Sequence, residues 1–131
     1  MKRLLIYIIG FVLTTAVASA QDYETDYRAL QQQFEESSAT TPALIKTYLN
    51  QYPYTPYSDE IHLMEGVLHA EKEKYKQAIK AFSKINAKNL SRETQPMLHF
   101  YWGYALLKQE NYKKALSYLL RVKQKESLYT P

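Results

Sequence analysis

The apolar positions of this chain follow a helical period in two segments of nearly the same sequence. The segments YKQAIKAFSKI (75–85) and YKKALSYLLRV (112–122) both place apolar or aromatic residues at i, i+3, i+4, i+7 and i+10. That spacing puts one apolar stripe along one side of an α-helix. The segments begin 37 residues apart, so they predict two equivalent helices of a repeated unit.

A further helix is predicted before each of these two. Residues 56–71 and 94–109 contain no run of β-branched residues, and each leads into a polar turn, EKEK (71–74) or KQEN (108–111). The repeated unit is therefore predicted to be helix, tight turn, helix. Because one such pair is too thin to bury all of its apolar surface, pairs of this kind stack on neighbouring pairs.

Small residues recur at equivalent positions in the two copies. Gly66 stands twelve residues before Ala78, and Gly103 stands twelve residues before Ala115. A residue without a bulky side chain on each of two facing helices lets the backbones approach closely. We therefore expect these glycine and alanine pairs to mark the contact between the two helices of each unit.

The region upstream contains a partial third copy. Thr41 and Pro42 are typical of a helix N-cap and of the first helical turn, and they predict a helix at 42–51. The first helix of this earlier unit would be residues 23–36, which lack the glycine found in the other copies.

The shared pattern Gly-x8-Tyr-x2-Ala-x3-Phe/Leu-x2-Ile/Val resembles the tetratricopeptide repeat (TPR), whose typical length is about 34 residues. The connection YPYTPYSD (52–59) is similar to inter-repeat linkers of periplasmic TPR proteins. The resemblance implies an all-α, right-handed superhelix of antiparallel helix pairs, with about two and a half repeats at about 22–55, 56–92 and 93–131. The chain departs from the TPR pattern at the turn, where Glu73 and Glu110 replace the usual glycine.

The first twenty residues have the order of a secretory signal peptide. A basic start, MKR, precedes an uncharged apolar run at 4–18, and the small residues ASA (18–20) follow. We expect cleavage after Ala20, and a periplasmic or secreted protein. A membrane anchor is the alternative, although the run is shorter than the about 20 apolar residues that span a bilayer. No cysteine follows the run, which excludes a lipid-anchored lipoprotein.

Charge is distributed unevenly along the chain. Residues 21–65 have a net charge of −6, whereas residues 66–131 have a net charge of +8. Two solvated faces of opposite sign are one interpretation, and a polarised surface that steers a partner or a second copy is the other. Lys76, Lys80 and Lys84 are expected to form a solvated helix face, with contact to acidic lipid headgroups, lipopolysaccharide or an acidic partner as the alternative. No nucleic-acid partner is expected of an exported protein.

The sequence shows no catalytic signature motif. It contains no cysteine, no G-x-S-x-G nucleophile motif, and too few glycines for a phosphate-binding loop. Asp59 and Glu60 fall in a predicted first helical turn, where the helix dipole favours acidic side chains. We therefore expect a protein that is not an enzyme and has no cofactor.

His62, Glu65 and His69 are the candidate metal ligands. At i, i+3 and i+7 they share one face of a predicted helix, and two imidazoles with a carboxylate could bind zinc. The sequence identifies no fourth ligand. Pairing of Glu65 with His62 or His69 across one helical turn is the simpler interpretation, so no metal site is predicted.

The TPR resemblance implies that the first helices of the repeats line a concave partner-binding groove. The side chains placed in this groove are Leu63, Val67, Ala70, Phe100, Tyr104 and Leu107. Such a groove suits an extended peptide or a helix of a protein partner. Trp102 and Leu106 are expected to fill the core beside Tyr112 and Leu119. Burial of the groove residues against a following repeat is the alternative.

These features predict an exported, non-enzymatic scaffold for a peptide or protein partner. The resemblance to periplasmic TPR proteins implies a role in cell-envelope assembly or maintenance. The last predicted helix ends near Lys125, and ESLYTP (126–131) is typical of a linker that opens another repeat. A purely structural N-terminal segment of a longer array is therefore the alternative, as is an exposed end covered by a partner or a second copy. A metal-binding helical protein is the third alternative.

Overall fold

The chain folds into α-helices that pack as adjacent pairs. The computed structural model describes residues 22–126, which contain six α-helices, one short 3-10 helix and no strand. The α-helices are α1 (22–35), α2 (Thr41–Gln51), α3 (Ser58–Glu71), α4 (Tyr75–Phe82), α5 (Thr94–Lys108) and α6 (Tyr112–Glu126), and the 3-10 helix is Ala87–Asn89. The predicted all-α class is confirmed. The predicted signal peptide lies outside the described residues.

The chain divides into two compact units. Unit 1 is Met1–Thr55 and unit 2 is Pro56–Pro131. Unit 1 contains α1 and α2, and unit 2 contains α3 to α6. The division falls at the position where the sequence repeat places the start of its second copy.

The expected extent of α4 is wrong. The helix ends at Phe82, so Ile85 lies beyond it rather than on its apolar stripe. The Ser83 hydroxyl donates a hydrogen bond to the Lys80 carbonyl at 2.7 Å, and the amide of Ile85 donates to the Phe82 carbonyl at 3.1 Å. Both bonds join residues that are three apart, whereas α-helical bonds join residues four apart. The last carbonyls of the helix are therefore satisfied by a tighter turn, which ends the helix.

The start of α2 also differs by one residue from the expectation. Thr40 is the N-cap, and Thr41 is the first residue of the helix. The Thr41 side chain is fully buried, and its Oγ1 donates to the Gln33 carbonyl of α1 at 3.0 Å. The hydroxyl therefore ties the two helices of unit 1 together instead of capping the helix that it begins.

Three turns share one left-handed geometry. Ser37, Glu73 and Glu110 each have φ between 53° and 59°, and each follows the first helix of a pair. After α3, the Glu73 amide donates to the Ala70 carbonyl at 3.0 Å and the next amide donates to the His69 carbonyl at 2.8 Å. The same two bonds recur after α1 and α5. This is the Schellman arrangement, and its presence after α1 shows that the first helix of unit 1 ends in the same way as α3 and α5, although the connection to its second helix is two residues longer.

Unit 1 is held by a tyrosine-rich contact between α1 and α2. The Tyr48 ring is buried, and its hydroxyl donates to the Tyr23 carbonyl at 3.0 Å. The Tyr52 hydroxyl donates to Asp26 Oδ2 at 2.8 Å, and burial together with this hydrogen bond raises the pKa of Tyr52 to about 12. These tyrosines bury apolar rings while their hydroxyls find acceptors on α1.

The two glycines of unit 2 make room for side chains of the facing helix. A β-carbon on Gly66 would lie 2.8 Å from Cζ of Phe82 and closer still to two other ring atoms. A β-carbon on Gly103 would lie 2.8 Å from Cγ of Leu119 and 3.3 Å from the Ala115 carbonyl. Phe82 and Leu119 are equivalent in the repeat. The glycines were expected to face the alanines, and the structure shows that each glycine receives this larger residue one turn further along.

The connection from α4 to α5 is pinned to the start of α3. Asp59 accepts hydrogen bonds from the Asn86 amide at 3.2 Å and from Asn89 Nδ2 at 2.7 Å. Glu60 accepts hydrogen bonds from the Ser91 amide and the Thr94 hydroxyl. Leu90, in the same connection, is buried. The two acidic residues therefore fix where α5 begins, beyond the helix-dipole role that the sequence suggested.

The two second helices of unit 2 differ in how far they are covered. α4 packs against both α3 and α5, and its Ala78 and Phe82 have no exposed surface. α6 packs against α5, and a stripe of large side chains on it stays exposed: Tyr112 at 62%, Leu116 at 59% and Leu120 at 49%. The expectation that Tyr112 lies in the core is therefore wrong.

Candidate functional site

A row of apolar side chains lies exposed on α5. Met97, Phe100, Tyr104 and Leu107 follow a spacing of three, four and three residues, which places them on one face of the helix. Phe100 is 47% exposed and Leu107 is 41% exposed, and Tyr104 is half-buried. We call these four residues the α5 stripe. An exposed row of large apolar side chains is characteristic of an interaction surface, whereas single exposed ones are common on any protein.

Aromatic contacts hold the middle of the α5 stripe in place. The Phe100 and Tyr104 rings are nearly parallel, with centroids 6.3 Å apart. Tyr104 also meets the Tyr75 ring of α4 edge-to-face at 5.9 Å, and the interaction of the two hydroxyls raises the pKa of Tyr75. A rigid aromatic surface loses little conformational entropy when a partner binds to it.

A cation lies at one end of the stripe. Lys108 Nζ is 5.5 Å from the centroid of the Tyr104 ring, within the range of a cation–π interaction. The side chain is exposed and can also meet an acidic group. The surface therefore combines apolar contact area with one positive charge, which suits a peptide that has apolar anchors and a carboxylate.

Only part of the predicted groove is accessible. Phe100, Tyr104 and Leu107 reach the surface on α5, whereas Leu63, Val67 and Ala70 of α3 are buried. The α3 residues have no more than 4% of their surface exposed, so they act as core residues of unit 2 in this structure. Met97 belongs to the exposed row although the sequence did not single it out. Its position three residues before Phe100 was the signal.

The Trp102 side chain of α5 packs towards α6. The Trp102 ring stacks on Tyr118 with a centroid distance of 4.5 Å and lies 6.1 Å from the Phe82 ring of α4. Leu106 is buried, as expected. The Arg121 guanidinium lies 5.0 Å from the centroid of the Tyr118 ring. This cluster joins three helices of unit 2: α4, α5 and α6.

Of the three candidate metal ligands, His62 and Glu65 form a hydrogen-bonded pair, and His69 is not part of that pair. His62 Nδ1 lies 3.2 Å from Glu65 Oε2, and this hydrogen bond is the main reason that the pKa of Glu65 is lowered. Burial lowers the pKa of His69. Across residues 22–126, no group of three or more His, Cys, Asp or Glu side chains is arranged to hold a metal ion. The observed contact is the pairing of Glu65 with His62 across one helical turn, which was the simpler interpretation of the sequence.

The fold and its exposed stripe define a class of protein, an all-α protein built from packed helix pairs. Comparison with known proteins found no matching family model, no matching curated protein and no matching solved structure. Within residues 22–126, none of the helices has both the length and the apolar character needed to cross a lipid bilayer.

Proposed function

We propose that this protein is an exported, non-enzymatic scaffold that binds a peptide or protein partner through the α5 stripe. The observation that carries the proposal is the α5 stripe, in which Met97, Phe100 and Leu107 are exposed around the half-buried Tyr104 and aromatic contacts hold the middle in place. The proposed architecture is a right-handed TPR-like stack. Its support is the 37-residue repeat, together with the three left-handed turns that end the first helix of each pair.

The chemistry of the stripe defines the partner's features. An amphipathic helix or an extended segment with large apolar side chains would cover Phe100 and Leu107. An acidic side chain on the partner would pair with Lys108, which lies at the end of the stripe beside the Tyr104 ring. By its resemblance to periplasmic TPR proteins, the scaffold acts in assembly or maintenance of the cell envelope.

A binding measurement tests the stripe directly. A partner captured from an envelope extract is identified by mass spectrometry, purified, and titrated against the wild type and the Phe100→Ala/Leu107→Ala variant. Loss of two buried contacts is expected to weaken binding at least about tenfold, because apolar anchors dominate interface energies. Tyr54→Ala is the matched control, since it removes an exposed aromatic side chain that belongs to neither α5 nor α6. Equal affinity of all three proteins would contradict the proposal.

Export is tested on the same protein. After expression of the full sequence in a Gram-negative host, the N-terminus of the periplasmic protein is read by mass spectrometry. Cleavage after Ala20 gives a mature chain that starts at Gln21. A chain that keeps its first twenty residues and stays with the membrane fraction would favour the anchor instead.

A purely structural role within a longer array is the second candidate. The observation that favours it is the exposed row on α6, since arrays bury such rows against the next repeat. In that case the Phe100→Ala/Leu107→Ala variant would bind every captured partner as tightly as the wild type. The affinity measurement therefore separates the two candidates.

A further inference from the structure

We propose that the exposed row on α6 docks into a groove between α1 and α2 of a second copy of this chain, so that copies associate head to tail. The row consists of Tyr112, Leu116 and Leu120, which recur every four residues and which we call the α6 stripe. Three large apolar side chains on one helix face expose surface that a neighbouring element normally covers.

Unit 2 shows what covers such a face. The second helix α4 packs against α5, the first helix of the following pair, and Tyr75 at the start of α4 meets Tyr104 of α5. Tyr112 is the repeat equivalent of Tyr75 and stands 62% exposed at the start of α6. The face of α6 is therefore suited to the first helix of another pair.

Unit 1 contains such a helix, α1, and the described surface of the unit has a complementary apolar feature. A pocket of about 190 Å³ lies between α1 and α2, and its walls include Ala29, Leu30 and Leu44. Leu44 is 40% exposed although it is a large apolar residue. The pocket can accept an apolar side chain such as Leu116, and the exposed face of Leu44 would be covered at the same time.

Charge favours the same pairing. Residues 22–55 carry five acidic and two basic side chains, a net charge of −3. The described side chains of α6, at 112–122, include three exposed basic residues and no acidic one: Lys113, Lys114 and Arg121. Asp26 lines the pocket itself and is held there by the Tyr52 hydroxyl. Opposite charges around an apolar contact fix its register and speed association. Two copies of α6 would repel each other, so a symmetric α6–α6 contact is disfavoured.

The test is sedimentation equilibrium of protein expressed from the full sequence, at about 10 µM to 1 mM, a range that covers weak interfaces. The wild type is expected to reach at least twice the monomer mass. Leu116→Gln/Leu120→Gln should abolish association because it removes the apolar surface of α6. Leu44→Gln should abolish association because it makes the groove polar. Ser117→Gln and Asn50→Gln are matched controls on exposed positions of the same two helices, and both should associate like the wild type. Circular dichroism confirms that each variant is folded.

Mixing the two defective variants gives the sharpest outcome. The Leu44→Gln copy keeps an intact α6 stripe, and the Leu116→Gln/Leu120→Gln copy keeps an intact groove, so an equimolar mixture should form dimers and nothing larger. Raising NaCl from about 0.05 M to about 0.5 M shortens the screening length and should weaken the association. A wild type that remains monomeric, a Leu44→Gln variant that associates normally, or a mixture that remains monomeric would overturn the proposal. Because no partner of the α5 stripe is present, these outcomes are independent of the proposed function.

Discussion

The pairs α3–α4 and α5–α6 have equivalent residues in different surroundings. Phe82 of α4 has no exposed surface, whereas its counterpart Leu119 of α6 is half-buried. Tyr75 of α4 lies against Tyr104, whereas its counterpart Tyr112 is mostly exposed. The repeat therefore determines the helices and their turns, and the neighbouring pair determines how much of the second helix is buried. A stacked array is stabilised by both contributions.

The two pairs should differ most in the loss of stability when the residue that faces each glycine, Phe82 or Leu119, is replaced by alanine. Phe82→Ala removes a fully buried ring and should lower the free energy of unfolding by about 3–5 kcal/mol. Leu119→Ala should cost less than half as much, because its site is partly open and loses less packing. Urea unfolding monitored by circular dichroism measures both. Equal losses would show that the covering helix adds nothing to the burial of this position.

Adding one methyl group to each glycine tests the same contact from the other side. Gly66→Ala is expected to destabilise by about 1–3 kcal/mol, since the new β-carbon overlaps the fully buried Phe82 ring. Gly103→Ala should cost less than Gly66→Ala, because Leu119 is only half-buried and alanine gains up to about 1 kcal/mol of helix propensity, which offsets the tight contacts with Leu119 and the Ala115 carbonyl. In the Phe82→Leu background, which imitates the second pair, Gly66→Ala should lose most of its effect. Persistence of the full loss in that background would contradict the proposed overlap.

The two turns provide a comparison in which the pairs should behave alike. Glu73 and Glu110 share a φ of 59°, where a side chain is unfavourable. Glu73→Gly and Glu110→Gly should each stabilise the protein by about 0.5–1 kcal/mol. The gain is smaller than the backbone strain that is removed, because glycine also raises the entropy of the unfolded chain. Thermal unfolding of the two variants checks this. A gain at one turn with a loss at the other would mean that the turns are not equivalent.

Acid should act on stability through Glu65 and His69, two titrating groups of α3. Glu65 and His69 have Trp102 and Leu106 as their repeat counterparts, so the second pair lacks these titrating groups. The hydrogen bond from His62 lowers the pKa of Glu65 below its usual 4.5, so its stabilising contribution is present above pH 4.5 and is lost as the pH falls further. Burial lowers the pKa of His69 below 6.5, so the folded state is destabilised as the pH falls through that value.

Substitution separates these two pH windows. Glu65→Gln should flatten the dependence of stability on pH below 4.5, and His69→Gln should flatten it below 6.5, each by a small amount because both groups are partly exposed. Denaturation midpoints across pH 3 to 8, an interval that spans the ordinary carboxyl and imidazole values, measure both effects. A wild-type stability that rises on acidification between pH 6.5 and 5.5 would contradict the assigned direction for His69.

Much of the fold could be predicted from the sequence, because periodicity reports which helix face is apolar. Helices α2, α3, α5 and α6 begin and end within two residues of the positions that the sequence predicted for them. The early end of α4 was missed because it depends on the Ser83 cap and on Asp59, which binds the chain at Asn86, 27 residues away. No local pattern contains that contact.

The candidate site was predicted only in part, for a related reason. Apolar spacing identifies a face but does not say whether another helix covers it, so Leu63 and Phe100 looked alike in the sequence. Leu63 lies in the core and Phe100 at the surface. The glycine spacing likewise indicated a close contact, but the residue that fills it could be identified only once the two helices were placed.

Native-state hydrogen exchange tests most directly whether a neighbouring helix pair is what stabilises a second helix. The measurement uses the Leu116→Gln/Leu120→Gln variant, so that association of copies does not protect α6. Amides of α4 are expected to exchange at least about tenfold more slowly, relative to their intrinsic rates, than the equivalent amides of α6. Equal protection of the two helices, or stronger protection of α6, would contradict this explanation.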